Sequence, residues 1–173
     1  VSGSYDFDGL SVSGEAYLGK PGDYMREPYF EGGVWRYAAA QVGGMEAIAE
    51  VARNAVSGTG DPHQLRRAAE LAILCETGRM WVERAAERAE HPGAGEAAVA
   101  YVLLAREVVE QNAQAVIALA DRTLGSRSFF NGHPVERMRR DLAFFLRQAN
   151  LDGKFEAAAR EIARSPHPIG ERW

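Results

Sequence analysis

The chain has 173 residues, the size of one domain or one domain with a tail. Hydrophobic residues make up 46% of it, enough for a core, while a formal net charge of −4 argues against a general nucleic-acid binder, which needs an excess of phosphate-neutralising lysine and arginine. A single cysteine, Cys75, excludes an internal disulfide and a cysteine-rich metal site, and no apolar run approaches the roughly 18 residues of a membrane span. No charged segment leads into an apolar one at the N-terminus, so no secretory signal is expected and the expected location is cytoplasmic.

Residues 1–31 differ in texture from the rest. They are rich in Gly, Ser, Asp, Tyr and Pro and poor in helix formers. Tyr5-Asp6-Phe7-Asp8-Gly9-Leu10 alternates like a half-buried strand, and Leu10-Ser11-Val12-Ser13 fits a second short one. Gly19-Lys20-Pro21-Gly22-Asp23 has the composition of a turn. One or two strands do not stand alone in water. This extended leader is therefore expected to pack on helices or to pair with strands outside the sequence.

From about Gly33 the pattern turns helical. Trp35, Ala39, Val42, Met45, Ala49, Ala52 and Val56 recur at spacings of three or four, one apolar stripe. Gly58 and Gly60 close that helix, and Asp61-Pro62 reads as N-cap plus first-turn proline of the next. The second helix runs towards Glu90 with Leu65, Ala69, Ala72, Cys75, Val82 and Ala86 expected inward; Gly78 within it suggests a close helix crossing. His91-Pro92-Gly93 breaks the chain. A third helix covers about Gly95 to Leu124, its expected stripe being Tyr101, Leu104, Val108, Ala115 and Leu119. Gly125 stands where a glycine terminates a helix, and Pro134 where a proline opens one. Long helices on short loops predict an all-α, antiparallel up-down four-helix bundle over residues 32–150. A short helix from about Gly153 to Arg164 and a proline-containing tail complete residues 151–173.

The chain carries no P-loop and no dinucleotide-binding glycine motif. Its four histidines have no i, i+4 partner and no Glu-x-x-His pattern, so no metal site is expected. Glu76, Glu107 and Glu110 fit a solvated face, as do the charges around Trp81. The stretch from Asp121 to Ala149 is the richest. Arg127, Ser128, Asn131 and His133 form a donor-rich loop ahead of a helix start, which fits an anion site or a connection whose charges cap helix ends and pair at i, i+4.

Three segments in order carry a resemblance. Asp6-Phe7-Asp8-Gly9-Leu10 through Gly22 comes first, then Phe30 to Gly43 with Arg36 among small residues, then Pro134-Val135-Glu136-Arg137 through Arg140-Asp141. Together they resemble the end of the middle β-domain and the C-terminal four-helix bundle of acyl-CoA dehydrogenase-like flavoproteins, with residues 1–31 as a remnant of that β-domain's edge. The resemblance implies FAD, an acyl-CoA-like small-molecule substrate, and a homo-oligomer or a second chain carrying the missing domains. It places Arg122, Gly125, Arg127 and Ser128 at the flavin and Arg36 near the substrate, at the bundle mouth. The family's usual base falls at Ala149 and an alternative one at Trp35. Neither side chain accepts a proton, so α,β-dehydrogenation lacks its base. Asp152 and Glu31 are the nearby carboxylates that stand in as catalytic candidates, and oxygen activation on reduced flavin fits the missing base better. Of the family's flavin-contacting Gln-x-x-Gly-Gly, only Gly125 survives, and the Arg-x-x-Phe-Gly loop is reduced to Arg53 and Ser57-Gly58. The competing expectation is a non-catalytic helical assembly subunit or fragment.

Overall fold

The computed structural model describes residues 3–173 and is all-helical, with no strand among those residues. Five α-helices follow in order: α1 (Trp35–Ala55), α2 (Pro62–Ala89), α3 (Glu96–Leu124), α4 (Pro134–Phe145) and α5 (Leu151–Arg164). Local chemistry sets their starts. The Asp61 carboxylate accepts from the His63 N–H at 2.9 Å, with Pro62 in the first turn. His133 Nδ1 accepts from the Val135 N–H at 3.2 Å, with Pro134 in the same place on α4. A 3₁₀ turn, Glu31–Val34, leads into α1, and the Glu27 carboxylate accepts from its Glu31 and Gly32 N–H groups. At the far end of α3, Gly125 takes a φ of +68°, open to glycine without a Cβ penalty.

Side-chain contacts give the directions of the helices. Arg36 meets Glu90 while Arg79 meets Glu46, so α1 and α2 run in opposite senses. Arg67 reaches the Arg122 carbonyl, Asn112 the Leu74 carbonyl, and Trp81 stacks on Tyr101, which opposes α2 to α3. Arg139 pairs with Asp121 and Arg106 reaches the Leu146 carbonyl, which opposes α3 to α4. One core cluster joins Met45, Ile48, Leu71, Val109, Val116, Val135 and Leu146. A second joins Val34, Ala85, Val102, Leu103 and Ala158 at the other end of α3. Gly78 marks a close crossing: a Cβ there would stand 2.9 Å from Met45 Cε.

Five expectations need correction. Among its described residues the leader forms no strand, and residues 3–27 are exposed, including Tyr5, Phe7, Leu10 and Val12; only its end meets the helices, with Pro28 and Phe30 half-buried and Glu31 paired with Lys154 of α5. Alternation alone makes no strand where no neighbouring strand receives its hydrogen bonds. On α2 the buried face is Leu71, Gly78, Val82, Ala85 and Ala89, while Leu65, Ala69 and Ala72 face outward. On α3 the fully buried residues include Val102, Val109 and Val116, whereas Leu104, Val108, Ala115 and Leu119 are half-buried. On α1, Ala39 is exposed and Ala38 is the buried neighbour. The helix opened by Pro134 also stops at Phe145. The chain turns through Asn150, whose φ is +53°, and resumes as α5, so Asp152-Gly153 lies inside a first helical turn. No described helix is long and apolar enough to cross a membrane.

Candidate functional site

A cleft of about 470 Å³ opens where α1 begins and where the chain passes from α4 to α5. Its walls include Phe30, Glu31, Arg36, Tyr37, Ala149 and Lys154. Residues far apart in sequence meet here because the turn after α4 brings Ala149 back to the start of α1. Glu31 is ion-paired with Lys154 across the cleft, with both side chains largely buried. Arg36 is held differently. Its guanidinium bonds to Glu90 at 2.5 Å and lies 4.9 Å from the Trp35 ring centroid. Trp35 Nε1 donates to the same carboxylate at 3.3 Å. Gly33 leaves the room, since a Cβ there would stand 2.8 Å from Arg36 Nη1. Burial pushes the Tyr37 phenol above its usual pKa; the Arg106 charge beside it opposes that shift and Glu31 adds to it.

Beneath the cleft lies a polar network on α3. Arg106 is 1% exposed. It bonds to Glu110 one turn on, to the Leu146 carbonyl, and to the Gln148 carbonyl at 3.3 Å. Glu110 also receives Arg147 and, at 2.9 Å, Gln114. From α1, Gln41 Nε2 donates to the Phe145 carbonyl at 3.1 Å. The last carbonyls of an α-helix have no partner within the helix. Here Gln41 and Arg106 take those of α4, and so fix the turn that carries Ala149. Glu110 is thus buried, contrary to the solvated face expected of it. The sequence offers a signal for the pair: Arg106 and Glu110 stand at i, i+4 inside an apolar run of α3, where a solvated face has no reason to be.

The residues expected at a flavin lie elsewhere. Arg106 and Arg122 are separated along α3 by roughly 24 Å at 1.5 Å per residue, so Arg122 and its neighbours form a second location in the chain. Arg122 and Arg127 are exposed and have no ion-pair partner among the described residues. Arg122 joins His63, Arg66, Arg67 and Glu70 around a cleft of about 250 Å³. Gly125 is exposed, with nothing within 4 Å of an added Cβ. Ser128 is fully buried and its hydroxyl donates to the Gly125 carbonyl at 2.9 Å, so its side chain holds the turn and is not presented to a ligand. The charges around this connection are used internally. Arg139 bonds to Asp121 and to the Ser128 carbonyl, and covers the Phe129 ring at 3.8 Å. Glu136 and Arg140 pair at i, i+4. Capping and pairing, the plainer of the two expectations for this stretch, is what these contacts do.

Of the two catalytic candidates, Glu31 lines the cleft with Arg36, whereas Asp152 is exposed in the first turn of α5 and is not among the lining residues. An acidic group at that position is favoured by the helix dipole alone. Cys75 is half-buried, and burial, aided by the Glu46 charge, pushes its thiol up to about 11. Among the described residues no three His, Cys, Asp or Glu side chains gather as a metal site would need. No protein-family model, no curated protein and no solved structure matches the chain.

Proposed function

We propose that the chain is the helical part of an FAD-dependent, acyl-CoA dehydrogenase-like oxidoreductase that lacks the usual catalytic carboxylate. The observation that supports this reading is the shared cleft. The resemblance puts a substrate-proximal arginine at Arg36 and the family's base at Ala149, and both residues line one cleft with Glu31 and Lys154. A methyl group at the base position leaves α-proton abstraction without an acceptor, while Glu31 is held by Lys154. A reaction of reduced flavin with oxygen, with an acyl-CoA-like molecule at the cleft, suits these residues better than dehydrogenation. The FAD itself would supply two-electron transfer. Arg66, Arg67 and Arg122 line one cleft, with Arg66 paired to Glu70 and Arg67 on the Arg122 carbonyl, and Arg127 is exposed in the turn after α3; the exposed Arg122 and Arg127 suit a diphosphate, because guanidinium groups bond phosphate oxygens in pairs. Glycine at position 125 lets a ligand approach the backbone there. Ser128 is left out of that set.

A complete flavin site in this reading needs a second copy of the chain, or another chain carrying the remaining domains. Protein purified from its own cell is expected to carry flavin absorbance through gel filtration. Arg122→Ala with Arg127→Ala is expected to strip the flavin while leaving thermal unfolding within a degree or two. Colourless protein that takes up no FAD, alone or with its partner, would leave the assembly-subunit reading. One observation favours that second reading: large apolar side chains stand exposed along both the leader and the outer face of α2.

A further inference from the structure

Residues 3–18 bond only to themselves. Among the described residues the segment's hydrogen bonds run from the Asp8 N–H to the Asp6 carboxylate, and from the Leu10, Ala16 and Tyr17 N–H groups to carbonyls three residues back. Tyr5 lies against Phe7. Phe7, Leu10, Val12, Tyr17 and Leu18 are all exposed. Such apolar surface gains free energy when a contact removes it from water. The segment's charge is of one sign: Asp6, Asp8 and Glu15 precede the first basic residue, Lys20. Its chemistry changes along its length. Two carboxylates come first, Leu10 and Val12 follow, and Tyr17 and Leu18 close it.

One flank of α2 carries the complement in the same order. At its start, the cleft of about 250 Å³ sets Arg66, Arg67, Arg122 and His63 around a single carboxylate, Glu70, in a chain whose net charge is −4. Ile73 and Met80 follow Arg66 at i+7 and i+14, so the three stand on one line of the helix. Both apolar side chains are exposed. Met80 opens onto a second cleft, of about 610 Å³, whose wall is Trp81 stacked on Tyr101 with ring centroids 4.8 Å apart. Arg66 and Met80 are roughly 21 Å apart along the axis at 1.5 Å per residue. Asp6 to Leu18 reaches about 40 Å when fully extended, which leaves slack for the turns at Gly9 and Gly14.

We propose that residues 5–18 of one copy lie along this flank of α2 in a second copy. Asp6 and Asp8 meet Arg66 and Arg67, Leu10 and Val12 cover Ile73, and Tyr17 and Leu18 reach Met80 and Trp81. Within one chain the segment stands clear of the helices, so the occupant is the other copy's leader. The exchange is reciprocal: each copy gives a leader and receives one, which closes a two-fold dimer. Opposite charges at one end set the register, and the apolar contacts hold it. This contact uses no flavin and stands apart from the flavin-enzyme reading.

The test is a charge exchange between two variants of the full chain, followed by sedimentation velocity without FAD. The parent chain is expected to reach twice 18.9 kDa at concentrations of about 100 μM and to dissociate as salt screens the charged end. Asp6→Lys with Asp8→Lys sets a basic leader against a basic cleft. His63→Glu with Arg66→Glu sets an acidic leader against an acidic one. All four side chains are exposed, so far-ultraviolet circular dichroism is expected to stay unchanged. Each variant alone is expected to dimerise at least about tenfold more weakly than the parent. Mixed in equal amounts, the two present opposite charges to each other again, and a mixed dimer within about threefold of the parent affinity is expected. A parent chain that stays monomeric at about 100 μM would overturn the proposal. So would a dimer indifferent to either pair of substitutions, which would place the contact on another face. A mixture that stays monomeric would do the same, because only exchange between copies restores the match.

Discussion

Arg106 illustrates how one buried charge can organise a site from below it. Its guanidinium serves Glu110 and the Leu146 and Gln148 carbonyls, so it ties α3 to the turn that carries Ala149. Removing one member of a buried ion pair costs about 3–5 kcal/mol when the other is left unpaired, and because Arg147 and Gln114 still reach Glu110 the loss is expected near the lower end. Arg106→Met keeps most of the side-chain volume and removes the charge. It is expected to lose stability in that range by urea unfolding, and the same substitution in an exposed pair, Arg66→Met, is expected to lose less than about 1 kcal/mol. Similar losses from the two would deny Arg106 its buried role. Cys75 gives a pH test at the same scale. Only the thiolate reacts, and the folded thiol titrates near 11 against 9.0 for a free one. The folded pKa is raised, so the associated stability is fully present below about pH 9 and is lost as pH climbs through about 11. Alkylation of the native chain at pH 8.5 should therefore be many times slower than in denaturant and should rise with each pH step towards 11. Native and denatured rates that agree at pH 8.5 would contradict the shift.

Helix starts are legible from sequence because they rest on neighbours in the chain. Asp61-Pro62 and His133-Pro134 cap and open α2 and α4 through contacts two residues long. Helix faces are legible only where apolar and polar sides differ. On α2 they do not: Leu65, Ala69, Ala72, Ile73 and Met80 are apolar on the side away from the core, so periodicity alone does not distinguish the buried face from the outer one. On α3 the buried sector is wider than one stripe, since α1, α2 and α5 all pack against it. The break after Phe145 has no proline or glycine to announce it. It is held by Gln41 and Arg106 from other helices, which no local pattern encodes. The cleft was half legible: Arg36, Glu31 and Ala149 came from the resemblance, whereas Tyr37, Lys154 and the network below depend on contacts distant in sequence. Packing predicts which substitution hurts. Ile48 is fully buried and Leu104 only half-buried. Ile48→Ala is expected to cost about 2–5 kcal/mol and Leu104→Ala less than half as much, both read from denaturant midpoints. The reverse order would mean that α3 presents a different face to the core.

At the scale of the whole molecule, the exposed apolar residues are concentrated in two places. Along the leader, Tyr5, Phe7, Leu10, Tyr17, Leu18 and Tyr24 are each at least 64% exposed. Along α2, Leu65, Ile73 and Met80 follow the helical repeat on the outward side, at 52–64% exposure. A single exposed leucine is ordinary, but a contiguous apolar stripe on a helix already buried on its other side resembles an interface. Leader composition adds to this: segments that remain free in water are poor in aromatic residues, and this one is not. The isolated chain is therefore expected to associate with itself or with the partner that completes it. Sedimentation velocity at increasing concentration should show a rising weight-average mass. Ile73→Glu with Met80→Lys should return it towards 18.9 kDa with far-ultraviolet circular dichroism unchanged, because neither side chain belongs to the core. Deleting residues 1–18 tests the leader separately: residues 3–18 are exposed, and their hydrogen bonds among the described residues stay within the segment. If the intact chain stays a monomer at concentrations of about 100 μM, the outer face of α2 supports no self-contact tighter than a free energy of about −5.5 kcal/mol. Its apolar stripe would then need a different partner, one for which the leader and α2 can be scored independently by the same two variants.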